Sequence, residues 1–176
     1  MKICINGGHC PTRDSGAIGS RITEAEYTAR MMASVADYLT KAGCTVLTVQ
    51  EKDLSAICRA ANEWGADLLV YIHCNAANKR ARGTETFSHY GSAKGKHLAA
   101  CIQKQLIGAI DTIDRGTKEA GFYVLKHTNA PAALVEIAFI DNRDDETLLL
   151  EHQDDIARAI ARGVTDYGTK KKPIAD

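Results

Sequence analysis

Four residues that lie far apart in this chain carry side chains suited to metal-dependent hydrolysis: His9, Glu24, His73 and Glu136. Two imidazoles and one carboxylate are ligands that hold catalytic zinc, with a fourth position left open for water. A second carboxylate nearby can carry a proton of that water. If the four side chains converge, the sequence predicts a hydrolase with one zinc ion.

Both histidines come at the ends of apolar segments. His9 follows two glycines that allow a sharp backbone turn, and its alternative interpretation is a loop histidine without a role. His73 closes the apolar run 67–74, where a buried structural histidine is the alternative. Cys10 and Cys74 could bind a soft metal, but adjacent side chains of an extended strand point to opposite faces, so neither is expected to share the ion.

Two glutamates compete for the third ligand position. Thr23 and Glu26 form a capping-box pattern, in which Glu26 reaches back to the helix N-cap. Glu24 has no such local task, although acidic residues are favoured in any first helical turn. We therefore expect Glu24 to be the ligand.

Glu136 is a carboxylate inside the run 132–140, which otherwise has the composition of a buried strand. Burying an unpaired charge costs several kcal/mol, so such a group is paired, near a metal or protonated. A functional carboxylate is the favoured interpretation, and a structural one is the alternative. His89, His97 and His152 are expected on the surface, and His127 is a weak candidate for lining the site.

The composition is that of an ordinary globular domain. The 22 basic residues balance 22 acidic ones, which argues against a strongly basic nucleic-acid binder. No apolar stretch is long enough for membrane insertion, and the first residues do not resemble a signal peptide. Six cysteines without a C-x-x-C pair are best explained as buried free thiols.

The apolar periodicity predicts strands alternating with helices. Strands are expected at residues 2–6, 44–49, 67–74, 84–90, 122–126 and 132–140. Helices are expected from residue 24 to Gly43, from 54 to Gly65, over 94–110 and over 144–167. This order predicts a single-domain α/β fold, a twisted mixed and largely parallel sheet flanked by helices on both faces. Because His9 and His73 come just past predicted strands, they should meet at one rim. The domain should cover residues 1–167, with 168–176 a basic tail or the start of a linker.

Several segments resemble, in order over residues 2–165, the zinc-dependent N-acetylmuramoyl-L-alanine amidases of bacterial cell-wall hydrolases and phage endolysins. The segments that carry the resemblance are Ile5-Asn6-Gly7-Gly8-His9, Ile22-Thr23-Glu24, Ile72-His73-Cys74-Asn75-Ala76, Arg82-Gly83-Thr84-Glu85-Thr86-Phe87, Asp114-Arg115-Gly116, Phe122-Tyr123-Val124-Leu125 and Val135-Glu136.

The resemblance implies that His9, Glu24 and His73 bind zinc and that Glu136 is the catalytic carboxylate. It implies a peptidoglycan substrate, cut at the amide between the lactyl group of N-acetylmuramic acid and L-alanine. Asn75, Arg82 and His127 are expected to contact that substrate.

Two departures from the family pattern affect the rim of the site: Tyr71 replaces a common serine, and residues 10–13 replace a glycine-rich run. The short loop 75–83 has no room for an inhibitory insertion, which predicts constitutive activity.

Two other functions stay open at this point. Another zinc peptidase or deacetylase of the cell wall would use the same ligand set, and a catalytically silent wall-binding module would need no chemistry at all. A chain made without a signal peptide would wait in the cytoplasm as an endolysin does, or would be a fragment of a secreted enzyme. A monomer is expected.

Overall fold

A computed structural model describes residues 1–169. Within them the strands are β1 (Lys2–Gly7), β2 (Thr45–Val49), β3 (Leu68–Asn75), β4 (Thr84–Ser88), β5 (Asp114–Glu119) and β6 (Ala132–Phe139). The helices are α1 (Glu24–Lys41), α2 (Leu54–Trp64), α3 (Ala93–Ala109), α4 (Tyr123–His127), α5 (Arg143–Glu151) and α6 (Gln153–Thr169).

The strands form one mixed sheet in the order β2-β1-β3-β6-β4-β5. β2, β1, β3 and β6 are parallel neighbours, whereas β4 pairs antiparallel with β6 and parallel with β5. β1 and β3 are apolar on both faces because both faces are covered, as is usual for parallel strands. The carboxyl ends of the parallel strands therefore meet at one edge of the sheet.

Helices cover both faces of the sheet, as the α/β prediction requires. The larger apolar cluster packs α1, α3, α5 and α6 against one face, with Tyr27, Met31 and Ile160 almost fully buried. The smaller cluster packs α2 and α4 against the other face, around Ile57 and Leu69. The predicted architecture is confirmed. Among residues 1–169, no helix combines the length and apolar composition that crossing a membrane requires.

The structure corrects the prediction in two neighbouring segments. Residues 122–126 were expected as a strand, but Tyr123–His127 is the short helix α4, which buries Val124 and Leu125 against the smaller cluster. The edge strand β5 was not predicted, because its sequence DRGTKE has no apolar alternation and most of its side chains are exposed.

The C-terminal helical region also differs in detail. It divides near His152 into α5 and α6, because the α5 C-cap interrupts the helical backbone there. α6 continues through Thr169, so Gly168 is helical and lies inside the element that was expected to end at residue 167. The predicted basic segment from residue 170 onward lies outside the described residues.

Candidate metal and catalytic site

The sheet places three of the predicted residues together. His9 follows the end of β1, and β1 is the parallel neighbour of β3. His73 was expected just past its strand but lies inside β3, where it pairs in register with Glu136 of β6. The first turn of α1 brings Glu24 to the same edge, since the Glu24 carboxylate accepts a hydrogen bond from the backbone N–H of Cys74 at 3.0 Å.

The loop after β1 is shaped so that the imidazoles can approach closely. His9 has a φ of 63°, a left-handed backbone conformation that is uncommon for residues other than glycine. A Cβ atom at Gly8 would lie 2.5 Å from the His73 ring. A Cβ at Gly16, which has a φ of 65°, would lie 2.5 Å from the His9 ring. Both positions therefore require glycine.

The capping box forms as predicted and orients Glu24. Thr23 accepts from the backbone N–H of Glu26, and the Glu26 carboxylate accepts from the backbone N–H of Thr23 at 3.1 Å. The Glu24 side chain is thereby left to point inward, where it is only 2% exposed. Its second oxygen accepts from the backbone N–H of Ala17 at 2.9 Å.

His9, Glu24 and His73 form a group in which one potential ligand atom from each lies within 4.8 Å of the others. The Glu24 oxygens lie 3.1 Å from His9 Nε2 and 2.7 Å from His73 Nδ1. His73 Nε2 is buried without a hydrogen-bond partner among the residues described. Two imidazoles and a carboxylate are donors that zinc prefers, so this group fits one zinc ion.

Asp14 is a contributor that the sequence analysis did not identify. Its Oδ2 lies 2.9 Å from His9 Nδ1, and its Oδ1 accepts from the backbone N–H of Gly16 at 3.1 Å. A carboxylate on one ring nitrogen of a histidine fixes the ring and leaves the other nitrogen available to a metal. The available signal was an acidic residue in the turn five positions after His9.

The pKa values of Glu24 and His9 are shifted by the contacts between them. Burial raises the pKa of Glu24, but the hydrogen bonds with His73 and His9 outweigh burial and hold that pKa well below its usual range. The contact with Glu24 is the main reason that the pKa of His9 is raised to about 9, and Asp14 adds to it. The lowered pKa of Glu24 favours its carboxylate form, which is the form that binds a metal.

Glu136 differs from Glu24 although both are buried carboxylates. Burial is the main reason that the pKa of Glu136 is raised to about 8, and the negative charges of Glu24 and Glu85 raise it further. Its Oε2 is buried without a hydrogen-bond partner in the part of the chain that the structure describes. A carboxyl of this kind can accept and donate a proton near neutral pH.

An open pocket of about 360 Å³ lies over this group. His9, His73 and Glu136 line its base, and Tyr71, which packs edge-on against the His73 ring at 4.2 Å, lines it as well. One wall is apolar although it faces solvent. That wall consists of Leu54, Phe122 and Tyr123, whose exposed fractions are 38%, 40% and 42%.

The three predicted substrate contacts do not line this pocket. Asn75 donates to Glu85 Oε1 at 2.8 Å, and the Arg82 guanidinium binds Asp145 at 3.0 Å. His127 is exposed at the end of α4 and stacks on Tyr123, with ring centroids 4.2 Å apart. Asn75 and Arg82 thus make internal contacts, and His127 reaches the pocket only through Tyr123.

The cysteines beside the two histidines stay outside the group, as strand alternation predicted. Cys74 is buried on the other side of β3, in the larger apolar cluster, and burial holds its pKa well above the ordinary value. Cys10 lies 3.5 Å from the Thr12 hydroxyl instead. Of the other cysteines, Cys4, Cys58 and Cys101 are buried.

Comparison with known proteins supports a single family. The sequence profile of the N-acetylmuramoyl-L-alanine amidases matches residues 3–166. The uncharacterised protein YqiI of Bacillus subtilis is 35% identical, over 94% of this chain and 84% of its own length. The amidase LytC of the same organism is 36% identical over 94% of this chain, which spans only 35% of LytC.

Solved structures share the fold. The amidase AmiC2 of Nostoc punctiforme superposes with a TM-score of 0.90 at 28% identity, covering 96% of this chain and 97% of that one. The catalytic domain of the amidase CwlV from Bacillus (Paenibacillus) polymyxa gives a TM-score of 0.89 at 27% identity, covering 97% and 99% of the two chains. Because profile, sequence and fold agree over nearly the whole chain, the chain belongs to the N-acetylmuramoyl-L-alanine amidase family.

Proposed function

We propose that this chain hydrolyses the amide bond between the lactyl group of N-acetylmuramic acid and L-alanine in peptidoglycan. In this proposal His9, Glu24 and His73 hold one zinc ion, and Glu136 carries the proton. The observation that carries it is the convergence of the three ligand side chains at a pocket that His9, His73 and Glu136 line. Family membership names the bond, and LytC and AmiC2 are themselves named as amidases of this bond.

The chemistry divides between the ion and the protein. Bound zinc supplies a Lewis acid that polarises a carbonyl and lowers the pKa of water to about 7. Glu136 takes a proton from the attacking water and passes it to the leaving alanine nitrogen. Its raised pKa suits both steps, since a group that must accept and then donate works best when its pKa is near the working pH.

The other residues prepare the site. Asp14 holds the His9 ring so that Nε2 points toward Glu24. Glu24 is held in its orientation by two backbone donors, the N–H groups of Ala17 and Cys74. The apolar wall of Leu54, Phe122 and Tyr123 offers a surface to the uncharged parts of a muramoyl peptide.

The test is a substitution that removes the proton carrier and leaves the ligands. We expect Glu136→Gln to bind zinc and remain folded but to release alanine amino groups from purified cell walls about 10³-fold more slowly, within the range typical of general acid–base groups. Glu63→Gln, which changes an exposed glutamate on α2, is the matched control and should keep full activity. Turnover by Glu136→Gln within about tenfold of the parent would contradict the assigned role.

The products identify the bond. An amidase exposes the amino group of alanine and makes no new reducing sugar ends. Release of acetate, or of fragments cut inside the peptide, would instead assign the site to a deacetylase or a peptidase.

A further inference from the structure

We propose that Lys52 binds a free carboxylate on the peptide side of the scissile amide, so that the enzyme favours stem peptides with an acidic second residue over those in which that carboxylate is amidated. This inference rests on the proposed function. It names a specificity residue outside the zinc group.

The charges of the pocket single out Lys52. Among the lining residues that the structure describes, it is the one with a permanently cationic side chain, whereas Asp14, Glu51 and Glu136 are acidic. Apart from the zinc group itself, Lys52 is therefore the cation of this pocket toward which a carboxylate on the peptide would be attracted.

Lys52 is available for such a contact. Two acids of the pocket have other partners: Asp14 binds the His9 ring, and Glu51 lies 4.0 Å from Arg13. Lys52 is exposed and has no carboxylate within ion-pair distance in residues 1–169. It is nevertheless near the zinc group, because it lines the same pocket as His9 and His73.

The backbone that carries Lys52 is ordered. The next residue, Asp53, is the N-cap of α2 and accepts from the backbone N–H of Ser55 at 2.8 Å. Leu54, one residue further, belongs to the apolar wall of the pocket. The lysine thus stands on a fixed turn at the pocket mouth with its ammonium group free to move.

The substrate supplies a matching group at a suitable distance. A peptide residue that follows the alanine and carries a carboxylate, either free or amidated, would supply this group. That position is two residues from the scissile bond, a span of about 7 Å in an extended chain. A lysine side chain at the mouth of a pocket that also exposes His9 and His73 can reach it.

The test compares two synthetic muramoyl peptides that differ only in this group, one with the free carboxylate and one with the amide. We expect the zinc-loaded protein to prefer the acid about fivefold in kcat/KM, as a partly exposed ion pair gives. The preference should lie in KM and should shrink as salt is raised from about 0.05 to about 0.5 M. Lys52→Gln should reduce the ratio to about 1, and Lys52→Glu should reverse it.

Lys96→Gln is the matched control, because Lys96 is an exposed lysine on α3 that does not line the pocket. It should keep the preference of the parent. An unchanged ratio in Lys52→Gln, or equal cleavage of both peptides by the parent, would overturn the inference and leave the amidase proposal intact. Failure of the parent to cleave either peptide would overturn both.

Discussion

The His9 side chain lies between two carboxylates, with Asp14 at Nδ1 and Glu24 at Nε2. Glu24 is nearly inaccessible, whereas the Asp14 side chain is 37% exposed. This difference in exposure agrees with different roles for the two carboxylates. Glu24 belongs to the group that would hold the ion, and Asp14 acts on that group through the orientation and basicity of the imidazole.

Replacing Asp14 tests this indirect role. We expect Asp14→Asn to bind zinc about 10- to 100-fold more weakly, because the ring loses the anionic partner that fixes its tautomer. Competition with a chelator of known affinity measures the change. Asp37→Asn removes an exposed carboxylate paired with Lys41 on α1 and should leave zinc affinity unchanged. Equal affinities in the two variants would show that Asp14 does not support His9.

At the scale of elements, the β1–α1 connection depends on the absence of a side chain at Gly8. A Cβ there would lie 2.5 to 2.7 Å from three atoms of the His73 ring, which is also in edge-on contact with Tyr71. The packing of the two strands leaves room only for hydrogen at this point. Close packing of this kind converts a small volume change into displacement of a ligand.

We expect Gly8→Ala to displace the His73 ring, with a loss of both zinc binding and hydrolysis of at least about 10²-fold, since a shift of about 1 Å in an active site has effects of this size. Gly108→Ala is the matched control. Gly108 lies in α3 with open space around it, so the alanine should raise stability by about 0.5–1 kcal/mol and leave activity unchanged. Normal zinc binding by Gly8→Ala would show that the loop can accommodate a Cβ atom at position 8 without displacing His73.

Local sequence patterns were sufficient to predict some of these elements and not others. The apolar strands that bring His9 and His73 to the site were predicted because apolar runs are local signals. The capping box that separates Glu24 from Glu26 was predicted because caps are local signals as well. α4 was mistaken for a strand because its N-cap Phe122 and its first residues, Tyr123-Val124-Leu125, have strand composition. Its helical form depends on packing against α2, which no local pattern encodes.

Contacts that depend on loop geometry could also not be predicted from the sequence. Asp14 meets His9 because an isolated bridge between Cys10 and Asp14 closes the turn between them. Lys52 reaches the pocket because β2 and α2 end and begin beside it. Neither residue has a spacing that predicts its position, since both lie in irregular segments whose path is set by the elements around them.

At the scale of the whole molecule, one buried carboxylate joins the parallel part of the sheet to its other edge. Glu85 of β4 pairs in register with Glu136 of β6 and is only 4% exposed. It accepts from Asn75 on β3 at 2.8 Å and from Arg115 on β5 at 2.9 Å, and it also binds Lys118. The edge strand β5, which has little apolar surface of its own, is thus held to the sheet through charge.

This arrangement predicts a specific dependence of stability on pH. Burial raises the pKa of Glu85, but the hydrogen bonds and charges of Lys118 and Arg115 outweigh burial and hold that pKa below its ordinary value. A depressed folded-state pKa means that the stabilisation is complete above the unfolded-state pKa and is lost as the pH falls through the folded-state pKa. The stabilising effect of Glu85 should therefore be constant near neutrality and disappear in acid.

We expect Glu85→Gln to lower the free energy of unfolding by about 2 kcal/mol at pH 7, the size of hydrogen bonds to a charged group. The difference from the parent should stay constant down to about pH 5 and narrow below about pH 4.5. Urea unfolding followed by the fluorescence of Trp64, the sole tryptophan, measures it at each pH. Glu63→Gln should differ little from the parent at any pH. A Glu85→Gln difference that persists unchanged to about pH 3 would mean that packing, not the charge of Glu85, holds β5 in place.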